Sequence, residues 1–266
     1  MSAPKRTTIQ SVLPHGCGFR RRKTSSICRS INISCSVTVR GAIITSVLWY
    51  NRLKMLGLSF STLLTRIVTL VIAFTVHEFA HAWAANELGD DTPRRNGRLT
   101  LNPLAHLDVF GSLMLVLVGF GWAKPVPVDP YALRRRTPAG LMLVSAAGPI
   151  SNLLLAIMAA LPIRMGLIEA SVSAGGLLPS PNQFFTEFIF INLLLLLFNI
   201  IPIFPLDGEK VLEYFLPRSG KEFLRRLRPI SPFILMVLIF IGPRFGLDIF
   251  RFLVVEPALW LFSSLV

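Results

Sequence analysis

The chain has 266 residues, of which 53% are hydrophobic and only 15% charged, and its mean hydropathy is +0.62. This composition excludes an ordinary soluble domain and indicates an integral membrane protein. The net charge of +13 points toward nucleic acid, but residues 1–54 hold ten Lys and Arg without any acidic residue, whereas residues 55–266 hold seventeen basic and fourteen acidic residues. Because the basic stretch is separate from any folded unit and lacks interleaved aromatic residues, we expect no nucleic-acid partner.

Residues 1–54 form a basic N-terminal extension that is rich in Ser and Arg. The composition is typical of an organellar transit peptide, and an upstream extension of the reading frame before a start at Met55 explains it equally well. On either interpretation the folded unit is a single membrane-embedded domain, residues 55–266. The three cysteines of the extension match no zinc motif, and their odd number argues against a disulfide framework. They are Cys17, Cys28 and Cys35.

We predict an all-α polytopic membrane protein with about five transmembrane helices, within a range of four to six. A hydrocarbon core of about 30 Å needs about 20 apolar residues in a helix. We interpret four apolar windows as spans, and a fifth as one that crosses only in part. The windows are Leu56–Ala85, Ala139–Ile163, Phe184–Phe204, Ile230–Ile241 and Phe250–Val266.

The connection between the first two spans, Asn86–Pro138, is rich in turn-forming residues. Within it, Val109–Phe120 is apolar but has only twelve residues, too few to cross the membrane as a helix. Non-helical backbone at membrane depth must be satisfied by protein or water. We therefore predict a re-entrant or strand-like element that lines a cavity.

The distribution of Lys and Arg predicts the orientation. Loop 87–137 carries seven of them and loop 206–229 carries six, whereas the alternate loops carry one and two. Both basic loops therefore belong on the cytoplasmic side, together with the C-terminal ends of the first and third helices. The first helix then begins outside, so residues 1–54 are either absent from the mature protein or make an additional crossing at residues 37–50, which Arg40 disfavours.

An H-E-x-x-H motif lies near the end of the first predicted span, at His77–His81. Ionisable side chains are costly inside a bilayer and therefore mark functional sites. On a helix, the four-residue spacing places both imidazoles on one face, one turn apart, where they can share a zinc ion. Glu78 then lies beside the metal, where it can take a proton from a water molecule whose pKa the ion lowers and pass it to a leaving amine.

A catalytic zinc site needs a third protein ligand and one open position. The candidates are His106, in the connection, and Asp207, which follows the third span. The predicted orientation brings the ends of the first and third helices to the same side of the membrane, so Asp207 can reach His81. Two prolines before Asp207 end that helix, and the glycine after it frees the backbone.

Together these motifs resemble the site-2 protease family of intramembrane zinc metalloproteases. Members of that family carry H-E-x-x-H on one helix and N-x-x-P-x-x-x-x-D-G on a later one, and this chain reads HEFAH at His77–His81 and NIIPIFPLDG at Asn199–Gly208. The stretch AAGPISN, Ala146–Asn152, resembles the family's small-residue helix. The resemblance covers nearly all of residues 55–266. The stretches GRLTLNPLAHLD and FGWAKPVPVDP resemble the family's compact bacterial branch. Only about twenty residues separate the second and third helices, too few for a PDZ domain.

The resemblance implies the roles of five residues. His77, His81 and Asp207 correspond to the zinc ligands, Glu78 to the general base, and Asn199 to an asparagine near the scissile peptide that donates a hydrogen bond. The implied partners are the lipid bilayer and a membrane-protein substrate, cleaved in or near a transmembrane segment. The sequence carries no indication of an oligomeric state.

Further interpretations concern residues outside the H-E-x-x-H and N-x-x-P-x-x-x-x-D-G motifs. For His106 and Asp108 we favour a structural role, holding the connection by hydrogen bonds, and for Gly148 a role in packing. Asn152 could bond another helix or face the cavity. We also expect residues 99–128 to hold an unwound substrate by adding strand-like pairing to its backbone.

The competing interpretation is a non-proteolytic membrane protein that uses the same constellation for metal binding or transport, because intramembrane His and Asp also mark ion paths. A structural metal site has four protein ligands and no use for Glu78, so the sequence favours hydrolysis. We expect a multi-pass protein of a bacterial cell membrane with its active site toward the cytoplasm, or of a chloroplast membrane if residues 1–54 are a transit peptide.

Overall fold

A computed structural model of the protein describes residues 59–108, 110–111, 123–168 and 178–266. The predictions for the N-terminal extension, its cysteines and the additional crossing at residues 37–50 lie outside the described residues. Most of the predicted re-entrant element, residues 109 and 112–120, also lies outside them.

The described residues form ten α-helices, and a short 3-10 helix and a π-helical turn lie between the last two of them. In chain order the α-helices are α1 (Phe60–Glu87), α2 (Thr92–Arg95), α3 (Pro103–His106), α4 (Pro130–Arg136), α5 (Gly140–Arg164), α6 (Pro181–Ile200), α7 (Asp207–Phe215), α8 (Arg218–Leu227), α9 (Ser231–Phe240) and α10 (Glu256–Leu265). The 3-10 helix is Gly242–Phe245, and the π-helical turn, Arg251–Val255, leads directly into α10.

Within the described residues, three helices are long and apolar enough to cross a membrane: α1, α5 and α6, with 28, 25 and 20 residues. Helix α9 is also apolar but has only ten residues, and ten residues of α-helix extend only about 15 Å. No β-strand occurs among the described residues. The prediction of an all-α membrane protein is confirmed, and the number of spans stays a prediction.

Polar contacts between α1 and α6 fix their relative register. Ser61 Oγ donates to Gln183 Oε1 at 2.9 Å, and Arg66 Nε donates to Glu187 Oε2 at 3.1 Å. Residue numbers rise together along both helices, so the two helices run parallel. Since each contact joins residues 121 or 122 apart, the same register places the last turn of α6 beside the histidines of α1.

Helix α5 runs antiparallel to α1 and lies close to it because its facing residues are small. Val144 packs in one cluster with Ala85 of α1, and Gly148, farther along α5, lies against residues nearer the middle of α1. The other side of α5 packs on α6 and α10 through buried apolar side chains. These are Ala156, Ala159, Ala160, Phe188, Ile189, Leu193, Leu196 and Ala258.

Buried polar side chains hold the connection between α1 and α5. Asp90 accepts hydrogen bonds from the backbone N–H groups of Thr92, at 3.0 Å, and Asp129, at 2.7 Å. One isolated antiparallel bridge joins Leu107 to Ala123. In the described part of the connection, strand-like pairing consists of this bridge.

Candidate active site

The two histidines of the H-E-x-x-H motif lie one turn apart on α1, inside the protein. His77 is 5% exposed and His81 is 8% exposed. Their Nε2 atoms are 3.1 Å apart, and their rings meet edge to face. The helix therefore presents two imidazole nitrogens to one point, as the four-residue spacing predicts.

Asp207 brings a carboxylate to the same point from a different part of the chain. Its Oδ2 lies 3.2 Å from His77 Nε2 and 3.2 Å from His81 Nε2, and its side chain is buried. The structure therefore brings together His77, His81 and Asp207 across 130 residues of sequence.

The chain between α6 and α7 explains how Asp207 reaches this position. Helix α6 ends at Ile200, because Pro202 has no N–H to continue the helix and also disfavours helical geometry at Ile201. The chain then turns back and begins α7 at Asp207. A Cβ atom on Gly208 would overlap the carbonyl group of Ile200. Only glycine therefore lets the start of α7 pack this closely against the end of α6.

The three atoms fit the requirements of a zinc ion. Zinc bonds to His nitrogen at about 2.0–2.1 Å and to carboxylate oxygen at about 2.0–2.2 Å, so tetrahedral ligands lie roughly 3.3 Å apart. The separations observed here are 3.1 to 3.2 Å. Two imidazoles and one carboxylate are also a ligand set of catalytic zinc sites, which leave one position for water or substrate.

The electrostatic surroundings favour the ionised form of Asp207. Burial alone raises the pKa of a carboxyl group, but the imidazoles of His81 and His77 hold the pKa of Asp207 well below its usual range. Lys210, one turn along α7, places its Nζ 3.7 Å from the other carboxylate oxygen. The carboxylate is thus charged and directs one oxygen toward the imidazoles.

A backbone carbonyl of α5 orients His81. The Nδ1 of His81 lies 2.7 Å from the carbonyl oxygen of Val144, and only an N–H can make this hydrogen bond. Nδ1 therefore carries a proton, which leaves Nε2 as the nitrogen that can bind a metal.

Gly148 of α5 forms one wall of the site. A Cβ atom at this position would lie 2.5 Å from His81 Nε2 and 2.6 Å from His77 Nε2. Those distances are far below van der Waals contact, so any side chain would enter the space on which the ligand atoms converge. Gly148 thus has the predicted packing role, and it packs against the two imidazoles of the site.

Glu78 and Asn199 lie near this cluster. Glu78 is 9% exposed, and its carboxylate lies close enough to His81 to interact with it electrostatically. Asn199, in the last turn of α6, is half-buried, and its Nδ2 donates to the carbonyl oxygen of Leu195 at 3.0 Å. An amide nitrogen has two protons, so the second N–H of Asn199 remains for another acceptor.

His106, the alternative third ligand, belongs to the connection instead. It is fully buried, and its Nε2 lies 2.7 Å from the carbonyl oxygen of Thr100. Asp108 accepts a hydrogen bond from the N–H of Gly111 at 2.7 Å. Both side chains hold the backbone of the connection, which is the structural role that the sequence favoured.

The sequence did not identify three contributors to the site, although it indicated a packing role for Gly148. The carbonyl group of Val144 and the missing side chain of Gly148 act only because α5 lies against α1 in one register. Lys210 follows the D-G pair but resembles the many other basic residues of its loop.

Comparison with known proteins identifies the family. The model of the family described as "Peptidase family M50" matches residues 165–242. The chain is 40% identical to "Putative zinc metalloprotease YwhC" of Bacillus subtilis (strain 168) over 181 residues, which are 66% of this chain and 80% of that protein. The chain belongs to peptidase family M50. It is therefore a membrane-embedded zinc metalloprotease of the site-2 protease family, as the two motifs predicted.

More distant relatives agree with this assignment. Two proteins named "Putative zinc metalloprotease Rip2" are 30% identical over 184 residues, in Mycolicibacterium smegmatis, and 33% identical over 181 residues, in Mycobacterium tuberculosis (strain ATCC 25618 / H37Rv). In both cases the alignment covers 65% of this chain and 65% of the relative. No solved structure gives a significant match.

The wall formed by Gly148 generates a prediction. We expect Gly148→Ala to abolish stoichiometric zinc binding, because the new methyl group would occupy the space between the ligand nitrogens. Gly220→Ala is a suitable control, since in α8 the nearest neighbour of the new methyl group is the end of the flexible Leu216 side chain. Zinc per polypeptide, measured on both purified variants, checks this. A full equivalent of zinc in Gly148→Ala would show that the wall is misplaced.

Proposed function

We propose that this protein is an intramembrane protease that hydrolyses a peptide bond in or near a transmembrane segment of a membrane-protein substrate. The observation that carries the proposal is the position of the site: two imidazoles, a carboxylate and the buried acid Glu78 meet on the membrane-spanning helix α1. In this proposal His77, His81 and Asp207 hold the zinc ion.

Glu78 is the proposed general base. When bound, zinc polarises a peptide carbonyl and lowers the pKa of a coordinated water. Glu78 accepts the proton of the attacking water and then delivers it to the amine of the leaving segment. Its burial keeps bulk water away from the carboxylate, so the proton passes between water and amine at one defined position.

Asn199 is the proposed substrate-binding residue. Contacting residues of α1 and α6 are 121 or 122 apart near the start of both helices, and the same register at their other ends supports a position of Asn199 near His77. Its bond to the Leu195 carbonyl fixes the amide group, and its second N–H can donate to a carbonyl oxygen of the substrate or to the oxyanion that develops on it.

The connection between α1 and α5 is the proposed holder of the unwound substrate. A peptide bond in a transmembrane helix is shielded by its own hydrogen bonds, so cleavage requires local unwinding. Residues 99–102 and 124–129 are extended or irregular backbone and are half-buried or exposed. Backbone of this kind can pair with an extended peptide in the manner of an added strand.

We propose that this site faces the cytoplasm of a bacterial cell, and the basic loops support this orientation. The described part of loop 87–137 contains the three arginines that end α4, and the loop that begins at Asp207 contains the basic helix α8. Both loops follow the ends of helices that carry the site residues. Positively charged loops stay on the cytoplasmic side of a bacterial membrane.

A transporter or structural metal protein fits these observations less well. The metal-ligating group found among the described residues has three members, whereas a structural zinc site has four protein ligands. An additional buried acid beside three ligands is what hydrolysis requires.

The proposal predicts the effect of neutralising Glu78. The probe is a set of synthetic peptides, each with an apolar segment of about 20 residues interrupted by Asn or Gly-Pro to ease unwinding. We expect the reconstituted wild type to cleave some of them within or beside the apolar segment, and Glu78→Gln to lower turnover about 10²-fold or more. Mass spectrometry of the products gives both the rate and the cleaved bond.

The matched control is Glu87→Gln, which neutralises an exposed acid at the end of the same helix and should leave turnover unchanged. Equal cleavage by wild type and Glu78→Gln would defeat the assignment of the base. Cleavage only in soluble, polar peptides would defeat the intramembrane part of the proposal.

Substrate pairing along the connection generates a separate prediction. We expect Thr100→Pro and Val126→Pro to reduce cleavage of the same peptides while zinc content stays at the wild-type level, because proline removes a backbone donor. Thr100→Ser and Val126→Ala keep that donor and serve as controls. Unchanged turnover in both proline variants would rule out strand-like pairing at these positions.

A further inference from the structure

His77 differs from His81 in the support of its second ring nitrogen. His81 Nδ1 donates to the carbonyl oxygen of Val144. His77 Nδ1 is also buried, but no described residue offers it a hydrogen-bond partner. Metal-ligating histidines almost always donate the second N–H to a carboxylate, carbonyl or water, and this bond fixes the tautomer and the ring orientation.

Asn152 of α5 also lacks hydrogen-bond partners among the described residues, and its side chain contains an acceptor. Its side chain is fully buried, and neither its Oδ1 nor its Nδ2 has a partner among the described residues. Buried amide groups are normally hydrogen-bonded, so each exception calls for a reason. An unpaired oxygen and an unpaired N–H group, both buried in one protein, can satisfy each other if they lie close together.

The packing of α5 on α1 places Asn152 on the His77 side of the site. Val144 contacts His81, and Gly148, one turn later, contacts both imidazoles. Asn152 is one further turn along the same face of α5, about 6 Å beyond Gly148. Because the helices are antiparallel, this step leads away from His81 and past His77.

Two features favour a bridging water molecule between these groups. On α1, the residue one turn before His77 is Ala73, which is fully buried and small. Side chains on a helix lean toward its N-terminus, so Asn152 leans back toward Gly148 while His77 leans toward Ala73. A buried water normally makes two to four hydrogen bonds to such otherwise unsatisfied groups.

We propose that Asn152 positions the metal ligand His77: its Oδ1 accepts, through one buried water molecule, the hydrogen bond of His77 Nδ1–H. The bond holds the proton on Nδ1 and leaves the lone pair on Nε2, as the Val144 carbonyl does for His81. This inference rests on the proposed function, since it gives His77 the role of a zinc ligand. Asn152 touches neither substrate nor metal and is a positioning residue.

The chain offers a matched control in Asn192 of α6. Its side chain is also fully buried, and its Oδ1 also lacks a partner among the described residues, while its Nδ2 donates to the carbonyl oxygen of Phe188. In the register of α1 and α6 it lies two turns before the level of His77. Substituting it removes a buried amide from the same helix bundle without touching the metal ligands.

The test compares Asn152→Leu, Asn152→Asp and Asn192→Leu in the full-length protein purified in detergent. Zinc affinity is measured by competition with a chelator, and folding by the thermal transition of the metal-free protein. Loss of the partner of a metal ligand lowers metal affinity about 10–100-fold, and we expect this loss in Asn152→Leu but not in Asn192→Leu. Asn152→Asp should bind zinc at least as tightly as wild type, because a carboxylate is a stronger acceptor.

A spectroscopic readout separates positioning from packing. In the cobalt(II)-substituted protein, each ligating imidazole gives one paramagnetically shifted N–H proton resonance. We expect Asn152→Leu to shift one of the two resonances, or to speed its exchange with solvent, and to leave the other unchanged, because His81 keeps its bond to Val144. In Asn192→Leu both resonances should match those of wild type.

The outcomes distinguish this inference from the proposed function. Equal zinc affinity and identical N–H resonances in wild type and Asn152→Leu would overturn the role of Asn152 and leave the protease proposal intact. The same loss in Asn152→Leu and Asn192→Leu would reduce the effect to packing and also overturn it. If Asn152→Leu does not fold, weaker zinc binding by Asn152→Asp than by wild type would overturn it as well. A wild type that binds no zinc would overturn both proposals.

Discussion

The structure depends on one electrostatic constraint, the convergence of two imidazole nitrogens and a carboxylate oxygen at 3.1 to 3.2 Å inside the protein. Three electron-rich atoms at this spacing repel one another unless protons or a metal cation lie among them. The hydrogen bond from His81 Nδ1 to the Val144 carbonyl leaves Nε2 as the nitrogen that faces the cluster. A zinc ion at this point would satisfy the constraint and would explain why such polar groups occur on a membrane-spanning helix.

Each of the three long helices makes a different contribution to this cluster. Helix α1 supplies the two histidines and the buried acid. Helix α6 runs parallel to α1, so the chain that follows the end of α6 brings Asp207 to the level of His77. Helix α5 supplies space and orientation through a glycine and a backbone carbonyl, without supplying a ligand. Apolar packing of α5 on α6 and α10 holds this arrangement.

The linear sequence predicted the parts of the site that depend on local geometry. The four-residue spacing of His77 and His81 requires only a helix. The breaks before Asp207 and the orientation of the loops made it one of two candidates for the third ligand, and the resemblance to the site-2 protease motif favoured it over His106. The contributions of Gly148 and Asn152 depend on the register of α5 against α1, which no local pattern encodes. The apolar window Ile230–Ile241 illustrates a different limit, because it was interpreted as a span from its apolar composition although its helix has only ten residues.

The central claim is that His77, His81 and Asp207 hold one zinc ion while Glu78 serves the chemistry alone. The most direct measurement is zinc per polypeptide in the detergent-purified full-length protein, comparing wild type, Asp207→Ala and Glu78→Gln. The account predicts about one zinc in wild type, a large loss in Asp207→Ala and wild-type content in Glu78→Gln. Zinc bound as tightly by Asp207→Ala as by wild type would contradict it, because the third ligand would then lie elsewhere.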